Sequence, residues 1–195
     1  MIHEAKSEMR RVINAVRPVL ESGSVVVGLE PSCLLTFRDE APRLFPDWDE
    51  ALGSRVMLFE EYLSGALKDG TAQLELGPVA TKALLHGHCH QKAMGVLSPV
   101  QELLARIPGL EVETVETSCC GMAGSFGYQA ETVEVSRTMG ELNLLPAVRV
   151  ADRETLVVAD GTSCREQIAH CAGREALHAA RVLLMAVEAG REAAK

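Results

Sequence analysis

The stretch TLVVADGTSC, residues 155–164, contains an apolar run, a turn and a Ser-Cys pair in that order. The run LVVA has the length and the β-branched content of a buried strand, and the residues after Cys164 have the periodicity of a helix. A second stretch, SVVVGLEPSC at residues 24–33, has the same order and also ends in Ser-Cys. The chain is therefore predicted to contain two related strand-turn-helix units, as a duplication would produce.

Strand and helix patterns alternate along the whole chain. Strand patterns cover residues 24–33, 82–89, 110–117 and 155–164, and helix patterns cover residues 4–21, 55–68, 92–106, 129–142 and 165–190. Strands separated by helices predict parallel sheets with helices packed on their faces. The predicted fold class is α/β, with two similar half-domains that each hold a short parallel sheet flanked by helices.

The two related units divide the chain into residues 1–75 and 76–195. The second part has three further cysteines before its Ser-Cys pair, and counterparts for them in an equal first part would precede residue 1. We therefore expect residues 1–75 to be the remnant of a first repeat, truncated at its N-terminus, and residues 76–195 to be a complete second repeat. Chance similarity of the two units is the alternative.

The overall composition excludes several classes of protein. With 195 residues, of which 47% are hydrophobic, the chain is long enough to bury a core. A net charge of -8 argues against a nucleic-acid partner. No apolar run approaches the roughly 20 residues of a transmembrane helix, and residues 1–17 lack the apolar centre of a signal peptide. We expect a cytoplasmic protein without a membrane-spanning segment, and peripheral attachment to the inner face of the membrane is the alternative.

The cysteines indicate metal ligation. Six cysteines are too few for a disulfide scaffold, and the cytosol would oppose one. In residues 76–195, four of them follow predicted strands, whose carboxyl ends share one edge of a parallel sheet. Four thiolates at such an edge could hold an iron-sulfur cluster or zinc. These predicted ligands are Cys89, Cys119, Cys120 and Cys164.

Three glycines follow the adjacent cysteines in ETSCCGMAGSFGY, residues 116–128. We expect Gly121, Gly124 and Gly127 to turn backbone amides towards the sulfurs of a bound cofactor. Their spacing is not Gly-x-Gly-x-x-Gly, so a phosphate-binding loop is disfavoured. The chain also lacks the Cys-x2-Cys pairs of most structural zinc sites, which favours an iron-sulfur centre. Burial of the cysteine pair as two small hydrophobic residues is the alternative.

Other residues near the cysteines are expected to have supporting roles. His88 and His90 are expected to support the ligands or to contact solvent, and His86 to be a buried histidine with its hydrogen bonds satisfied. Met122 is a candidate apolar shield for the site. Cys171 is expected to pack on a helix, and His178 to lie on a helix face.

Four stretches together resemble a known family. HGHCHQKA (86–93), ETSCCGMAGSFGY, ADGTSCREQI (159–168) and GLEPSCLLTFRDE (28–40) are similar to the cysteine-rich CCG domain. That domain is found in the iron-sulfur parts of FAD-linked 2-hydroxy-acid dehydrogenases of the D-lactate, glycolate and D-2-hydroxyglutarate type. It also occurs in components of anaerobic glycerol-3-phosphate dehydrogenase. The chain resembles most the C-terminal part of proteins that fuse an FAD-binding oxidase to an iron-sulfur region.

The resemblance implies a ligand set. Cys89, Cys119, Cys120 and Cys164 match the family's cluster ligands, and Cys33 matches the closing cysteine of the first repeat. A related motif in heterodisulfide reductase ends in Cys-x-x-Cys, whereas this chain has Gln167 at the last position. A single [4Fe-4S] cluster is therefore implied rather than an enlarged one.

The resemblance also implies a function. The chain would be an electron-transfer module without catalytic activity of its own, with FAD on a partner domain, an upstream region or another polypeptide. Electrons would pass from FAD to a quinone or an electron-transfer protein. A zinc-stabilised interaction module is the alternative. A thiol redox enzyme using Cys119 and Cys120 is disfavoured, because adjacent cysteines form a strained ring and lack the Cys-x-x-Cys spacing.

Overall fold

The strands of the protein form two parallel sheets in a computed structural model that describes residues 2–117 and 119–193. The first sheet pairs β1 (Val26–Gly28) with β2 (Val56–Leu58). The second sheet has the order β4-β3-β5, where β3 is Lys82–His86, β4 is Glu111–Thr114 and β5 is Leu156–Ala159. Helices flank both sheets, which confirms the predicted α/β class. The boundary at residues 75 and 76 stays a prediction.

The helices occupy most of the remaining described chain. In chain order they are α1 (Ile2–Glu21), α2 (Pro31–Leu34), α3 (Glu40–Leu44), α4 (Glu50–Gly53), α5 (Phe59–Lys68), α6 (Cys89–Ala93), α7 (Ser98–Leu104), α8 (Val133–Glu141), α9 (Leu144–Val150), α10 (Thr162–Ala172) and α11 (Ala179–Ala193). Short 3-10 turns lie at Leu35–Phe37 and Phe126–Tyr128. Of these described helices, none combines the length and apolar character that crossing a bilayer requires.

Helices lie on both faces of the second sheet. Its central strand β3 alternates Ala83 and Leu85 on one face with Leu84 on the other, as the two-residue period of a strand dictates. Helices α7 and α11 cover the first face, and α9 and α10 cover the second. Because all three strands are parallel, their carboxyl ends meet at one edge. The segments that leave this edge carry the four predicted ligand cysteines.

The first sheet is smaller and has its own core. Leu20 from α1 and Leu35 pack against Val56 and Leu58 of β2. The neighbouring core of α1 and α3 contains Ile13, Ala41 and Phe45 among its buried residues. This part of the protein approaches the second sheet through the segment after β1, where α2 contacts α6.

Two predicted helices are each divided in the structure. The helix predicted over residues 92–106 is α6 followed by α7, because Gly95 has a positive φ of 68°. The helix predicted over residues 165–190 is α10 followed by α11, because Gly173 ends α10 in the left-handed conformation at φ 63°. A third difference is β2, which lies inside the region predicted as a helix over residues 55–68.

Candidate metal centre

The structure brings the four predicted ligand cysteines together. Cys89 is the first residue of α6 after β3, and Cys164 lies in the first turn of α10 after β5. Cys119 and Cys120 lie in the loop after β4. Electrostatic interactions between neighbouring side chains connect Cys89 to Cys119, Cys119 to Cys120, and Cys120 to Cys164. Three separate strand ends thus supply one continuous group of thiols.

The thiol group is only partly accessible to solvent. Cys120 is 3% exposed and Cys164 is 1% exposed, whereas Cys89 and Cys119 are half-buried. Each of these cysteines, as well as Cys33 and Cys171, is a free thiol. A buried pair beside a half-buried pair leaves one side of the group open to solvent.

The pKa values of the four thiols are shifted in different directions. The pKa of Cys119 is lowered by interaction with the Cys120 and Cys89 side chains and by the Gly121 backbone N–H, which donates to its sulfur at 3.3 Å. The pKa of Cys164 is lowered to about 5, first by interaction with the Cys120 side chain. Interaction with the Cys119 side chain, together with burial, raises the pKa of Cys89, and interaction with Cys119 and Cys164, together with burial, raises the pKa of Cys120. Four thiolates this close would repel one another, so full deprotonation requires a bound cation or cluster.

His86 is the residue at this site that differs most from its prediction. It is the last residue of β3 and 1% exposed, and its ring, Cys120 Sγ and Cys164 Sγ each offer an atom within 4.8 Å of the others. Neither of its ring nitrogens has a hydrogen-bond partner among the described residues. Buried polar atoms of this kind normally have partners. The expected burial is therefore correct, but the expected satisfied hydrogen bonds are absent, and the imidazole faces the thiols.

The donor set fits a metal centre. It consists of four thiols and an adjacent imidazole with unpartnered nitrogens, which is the chemistry of zinc and of iron-sulfur clusters. The orphaned nitrogens of His86 could donate to a sulfur of a bound cluster or bind an ion directly. The same residues thus suit either kind of centre.

The glycine-rich loop depends on close packing at Gly121. This residue has a φ of 92°, and a Cβ there would lie 2.1 Å from the Ser136 carbonyl oxygen. Gly124 also has a positive φ, 55°, but has open space around it. Gly127 lies against the Met122 side chain and the Ser136 hydroxyl. The amide of Gly121 donates to a cysteine sulfur as predicted, whereas direct cofactor binding by all three glycines stays a prediction.

Gln167 holds this loop in place and was missed by sequence reasoning. It is buried at 4% exposure on α10, and its Nε2 lies 3.1 Å from both the Cys120 and Ser136 carbonyl oxygens. The amide thereby joins the Cys-Cys-Gly loop to α8 and α10. The only signal in the sequence was its position three residues after Cys164, on the same side of a helix.

His88 and His90 lie beside the thiols in supporting positions. The buried His88 caps α6, because its Nδ1 accepts from the His90 amide at 3.2 Å, and this nitrogen lies 4.0 Å from Cys89 Sγ. Its ring lies against Gly161, where an added Cβ would be 2.4 Å from His88 Cδ2. This placement agrees with a supporting role for His88. Met122, 6% exposed beside Cys120, is placed as an apolar shield would be.

Cys33 and Cys171 lie outside the linked thiols. Cys33 is exposed on α2, and its assignment to a first repeat stays a prediction. Cys171 is half-buried on α10, with its sulfur 3.7 Å from Gln167 Oε1. The segment that holds Cys33 nevertheless approaches the site. Glu30 accepts hydrogen bonds from both the backbone N–H and the hydroxyl of Thr162 at 2.8 Å, at the N-terminus of α10.

Comparison with known proteins identifies relatives of the chain. It is 32% identical over 148 residues to the C subunit of the anaerobic glycerol-3-phosphate dehydrogenase of Escherichia coli K12, a match that covers 75% of this chain and 36% of the relative. It is 30% identical over 183 residues to the D-2-hydroxyglutarate dehydrogenase of Pseudomonas putida, covering 92% of this chain and 17% of the relative. The corresponding protein of Escherichia coli K12 is 32% identical over 173 residues, covering 83% and 15%. No family profile and no solved structure matches.

These relatives are all polypeptides of dehydrogenases. The chain is a homologue of segments of these dehydrogenase polypeptides, at about 30% identity over most of its length, and this fits a CCG domain of FAD-linked dehydrogenases. It spans 15 to 36% of the length of these three relatives.

Proposed function

We propose that the chain is the iron-sulfur electron-transfer part of a flavin-dependent 2-hydroxy-acid dehydrogenase. The observation that carries the proposal is the meeting of Cys89, Cys119, Cys120 and Cys164 from three strand ends. Homology to dehydrogenase polypeptides supports a redox role. In this proposal the four thiolates hold one [4Fe-4S] cluster, which when bound accepts and releases single electrons.

The residues around the thiols would set the properties of such a centre. The Gly121 amide donates to Cys119 Sγ, and the orphaned nitrogens of His86 can supply a further N–H to sulfur. Hydrogen bonds to sulfur favour the more negative, reduced state. Burial of Cys120, Cys164 and Met122 excludes water from one side. The open side, at Cys89 and Cys119, is where a partner could exchange electrons.

The proposal assigns substrate oxidation to a partner. FAD would be bound by an oxidase domain or subunit outside the chain, and the chain would pass its electrons to a quinone or an electron-transfer protein. Since the relatives are named for different substrates, a hydroxy acid and glycerol 3-phosphate, the module would serve oxidation without selecting the substrate.

A zinc-stabilised interaction module is the second candidate. It is favoured by one observation, which is that His86, Cys120 and Cys164 alone could hold an ion. Mixed cysteine and histidine ligation is common in structural zinc sites. In that case the ion would be redox-silent and the protein would serve to dock a partner.

Metal analysis of anaerobically purified protein separates the two candidates. We expect about four iron atoms and about four acid-labile sulfides per chain, a brown chromophore and an electron paramagnetic resonance signal after reduction. Cys120→Ser should lose the chromophore, whereas Cys171→Ser, on the same helix as Cys164 but outside the linked thiols, should keep it. Zinc without iron, or full iron in Cys120→Ser, would contradict the iron-sulfur proposal.

A further inference from the structure

A second group of potential ligands lies where the two parts of the chain meet. Glu60 comes from α5, Asp160 follows β5, and His178 precedes α11. His178 Nδ1 is 3.7 Å from Glu60 Oε1 and 3.6 Å from Asp160 Oδ1. Both carboxylates are 1% exposed, and the histidine side chain is 14% exposed. The sequence predicted His178 on a helix face, but the structure places it before α11, facing the two acids.

The buried Glu60 carboxylate lacks the hydrogen bonds that normally stabilise such a group. Neither of its carboxylate oxygens has a hydrogen-bond partner among the described residues. Asp160 differs, because its oxygens accept from Gln91 Nε2 at 2.8 Å and from the Ala179 amide at 3.0 Å. A buried carboxylate without partners costs several kcal/mol, so a proton, a water or a cation must offset it.

A proton on Glu60 would remove its negative charge, but it would not provide the carboxyl group with hydrogen-bond partners. Burial, and then the charge of Asp160, raise the pKa of Glu60 to about 8. The protonated carboxyl would still need an acceptor for its O–H. The nitrogen of His178 at 3.7 Å is too distant for that bond. The second carboxyl oxygen would also stay without a donor among the described residues.

His178 has the tautomer that a metal requires. Its Nε2 lies 2.8 Å from the Leu29 carbonyl oxygen, which can only accept, so Nε2 carries the proton. Nδ1 therefore carries no proton; it accepts a hydrogen bond from the Ala180 amide at 3.0 Å and lies 3.7 Å from Glu60 Oε1 and 3.6 Å from Asp160 Oδ1. An ion bound at Nδ1 would displace this hydrogen bond, because the nitrogen has a single lone pair. Donation of the other ring N–H to a backbone carbonyl is typical of metal-binding histidines.

We propose that Glu60, Asp160 and His178 bind a divalent transition-metal ion. Bonds of about 2.0–2.1 Å at tetrahedral angles place ligand atoms about 3.4 Å apart, close to the two distances from Nδ1. Two carboxylates and an imidazole suit Mn²⁺, Fe²⁺ or Zn²⁺, and their charge balances that of the ion. Gln91 connects this site to the helix of Cys89 through its hydrogen bonds to Asp160 and the His88 amide.

Mn²⁺ is the probe for the test, because it prefers oxygen and nitrogen ligands and competes poorly for thiolates. Protein with its thiol-site metal in place is titrated with Mn²⁺ and followed by electron paramagnetic resonance. We expect a tight site with nitrogen coupling to the bound ion, and the coupling should change when the wild-type protein is labelled with nitrogen-15 histidine. Glu60→Gln should weaken binding about tenfold or more, and His178→Gln should abolish the nitrogen coupling.

Glu175→Gln is the matched control, since this exposed carboxylate lies close to His178 in the chain but outside the group. It should bind Mn²⁺ as the wild-type protein does. The proposal is overturned if the wild-type protein shows no nitrogen coupling, or if folded Glu60→Gln binds Mn²⁺ as tightly as the wild-type protein. The labelled wild-type measurement needs no variant, so misfolding of Glu60→Gln would not obscure the result. Iron analysis reports separately on the thiol site.

Discussion

Gly121 shows how a single backbone position controls the thiol site. Its φ of 92° is unfavourable for a side chain, and the Ser136 carbonyl oxygen occupies the place of a Cβ. Gly121→Ala is therefore expected to reduce the free energy of unfolding by about 2–3 kcal/mol, through strain and displacement of the loop. Iron content should fall as well, because Cys119 and Cys120 precede this residue.

Urea unfolding followed by circular dichroism measures the effect of Gly121→Ala. Gly124→Ala is the matched control, since Gly124 has a positive φ in the same loop but no heavy atom within 4 Å of an added Cβ. We expect this control to lose about 1 kcal/mol from backbone strain alone. Equal losses in the two variants would show that the contact with Ser136 is unimportant.

His86 is predicted to tune the potential of a bound cluster. Replacing it with leucine removes an N–H donor facing the thiols while keeping the position buried and apolar. A hydrogen bond to a charged group is worth roughly 1.5 kcal/mol, so the one-electron potential should fall by about 60 mV. Redox titration would measure this shift, with the exposed His170→Leu as the control. An unchanged potential would contradict the proposed contact.

The role of His86 lay beyond sequence reasoning. The strand pattern of residues 82–89 correctly predicted burial, because side chains alternate across a strand with a period of two. Which polar atoms surround a buried ring depends on where other strands end, and Cys120 and Cys164 are distant in sequence. The same limit applies to Gln167, whose partners lie in the Cys-Cys-Gly loop and α8.

At the level of secondary structure, the sequence predicted strands better than the ends of helices. The strands β1, β3, β4 and β5 all lie within predicted strand stretches, because short apolar runs bounded by turns are distinctive. The strand β2 was missed because Val56–Leu58 leads directly into α5 and fits its periodicity. Helix α9 was missed because Pro146 lies near its start, where proline is tolerated but resembles a helix break in the sequence. The break between α6 and α7 at Gly95 and the break between α10 and α11 at Gly173 depend on positive φ angles. A glycine in the sequence indicates only that such an angle is possible.

Glu30 links the start of α2, in the first part of the chain, to the N-terminus of α10, in the second part. Its carboxylate accepts from the amide and hydroxyl of Thr162 at the N-terminus of α10, and also from Ser32. Burial opposes ionisation, but these hydrogen bonds outweigh it and lower the pKa of Glu30. A carboxylate at a helix N-terminus also interacts favourably with the helix dipole.

Glu30→Gln is expected to reduce the free energy of unfolding by about 1 kcal/mol at neutral pH. Since the folded-state pKa is lowered, the contribution of the charge is present above the ordinary value of 4.5 and is lost as pH falls through the folded-state value. The wild-type protein and the variant should therefore converge in stability at acid pH. Urea unfolding over a pH series measures this, with the exposed Glu131→Gln as control. A difference independent of pH would exclude the charge as its cause.

At the scale of the whole molecule, the thiol site depends on the complete second sheet. Its ligands come from the ends of β3, β4 and β5, which are held by cores on both faces. Removing a bound metal should therefore lower the melting temperature, because metal binding that requires the folded site stabilises it. Each kcal/mol lost should lower the melting temperature by about 2–4 °C in a chain of this size.

Anaerobic thermal unfolding of the purified, chelator-treated and reconstituted protein measures this coupling. We expect chelation to lower the melting temperature and reconstitution to restore it. Cys120→Ser serves as control and should respond little to the chelator. Identical melting temperatures before and after removal of the metal would show that the fold does not depend on occupancy of the thiol site.

The wide separation of the ligands in the sequence affects the order of events during biosynthesis. Cys89 emerges from the ribosome well before Cys164, which lies on α10, the helix that follows β5 in the chain. Until then the nascent polypeptide has an incomplete set of thiols, and Cys120 lacks its buried neighbour. A metal centre that uses all four cysteines, as proposed, would therefore be completed only after nearly the whole second sheet has been translated.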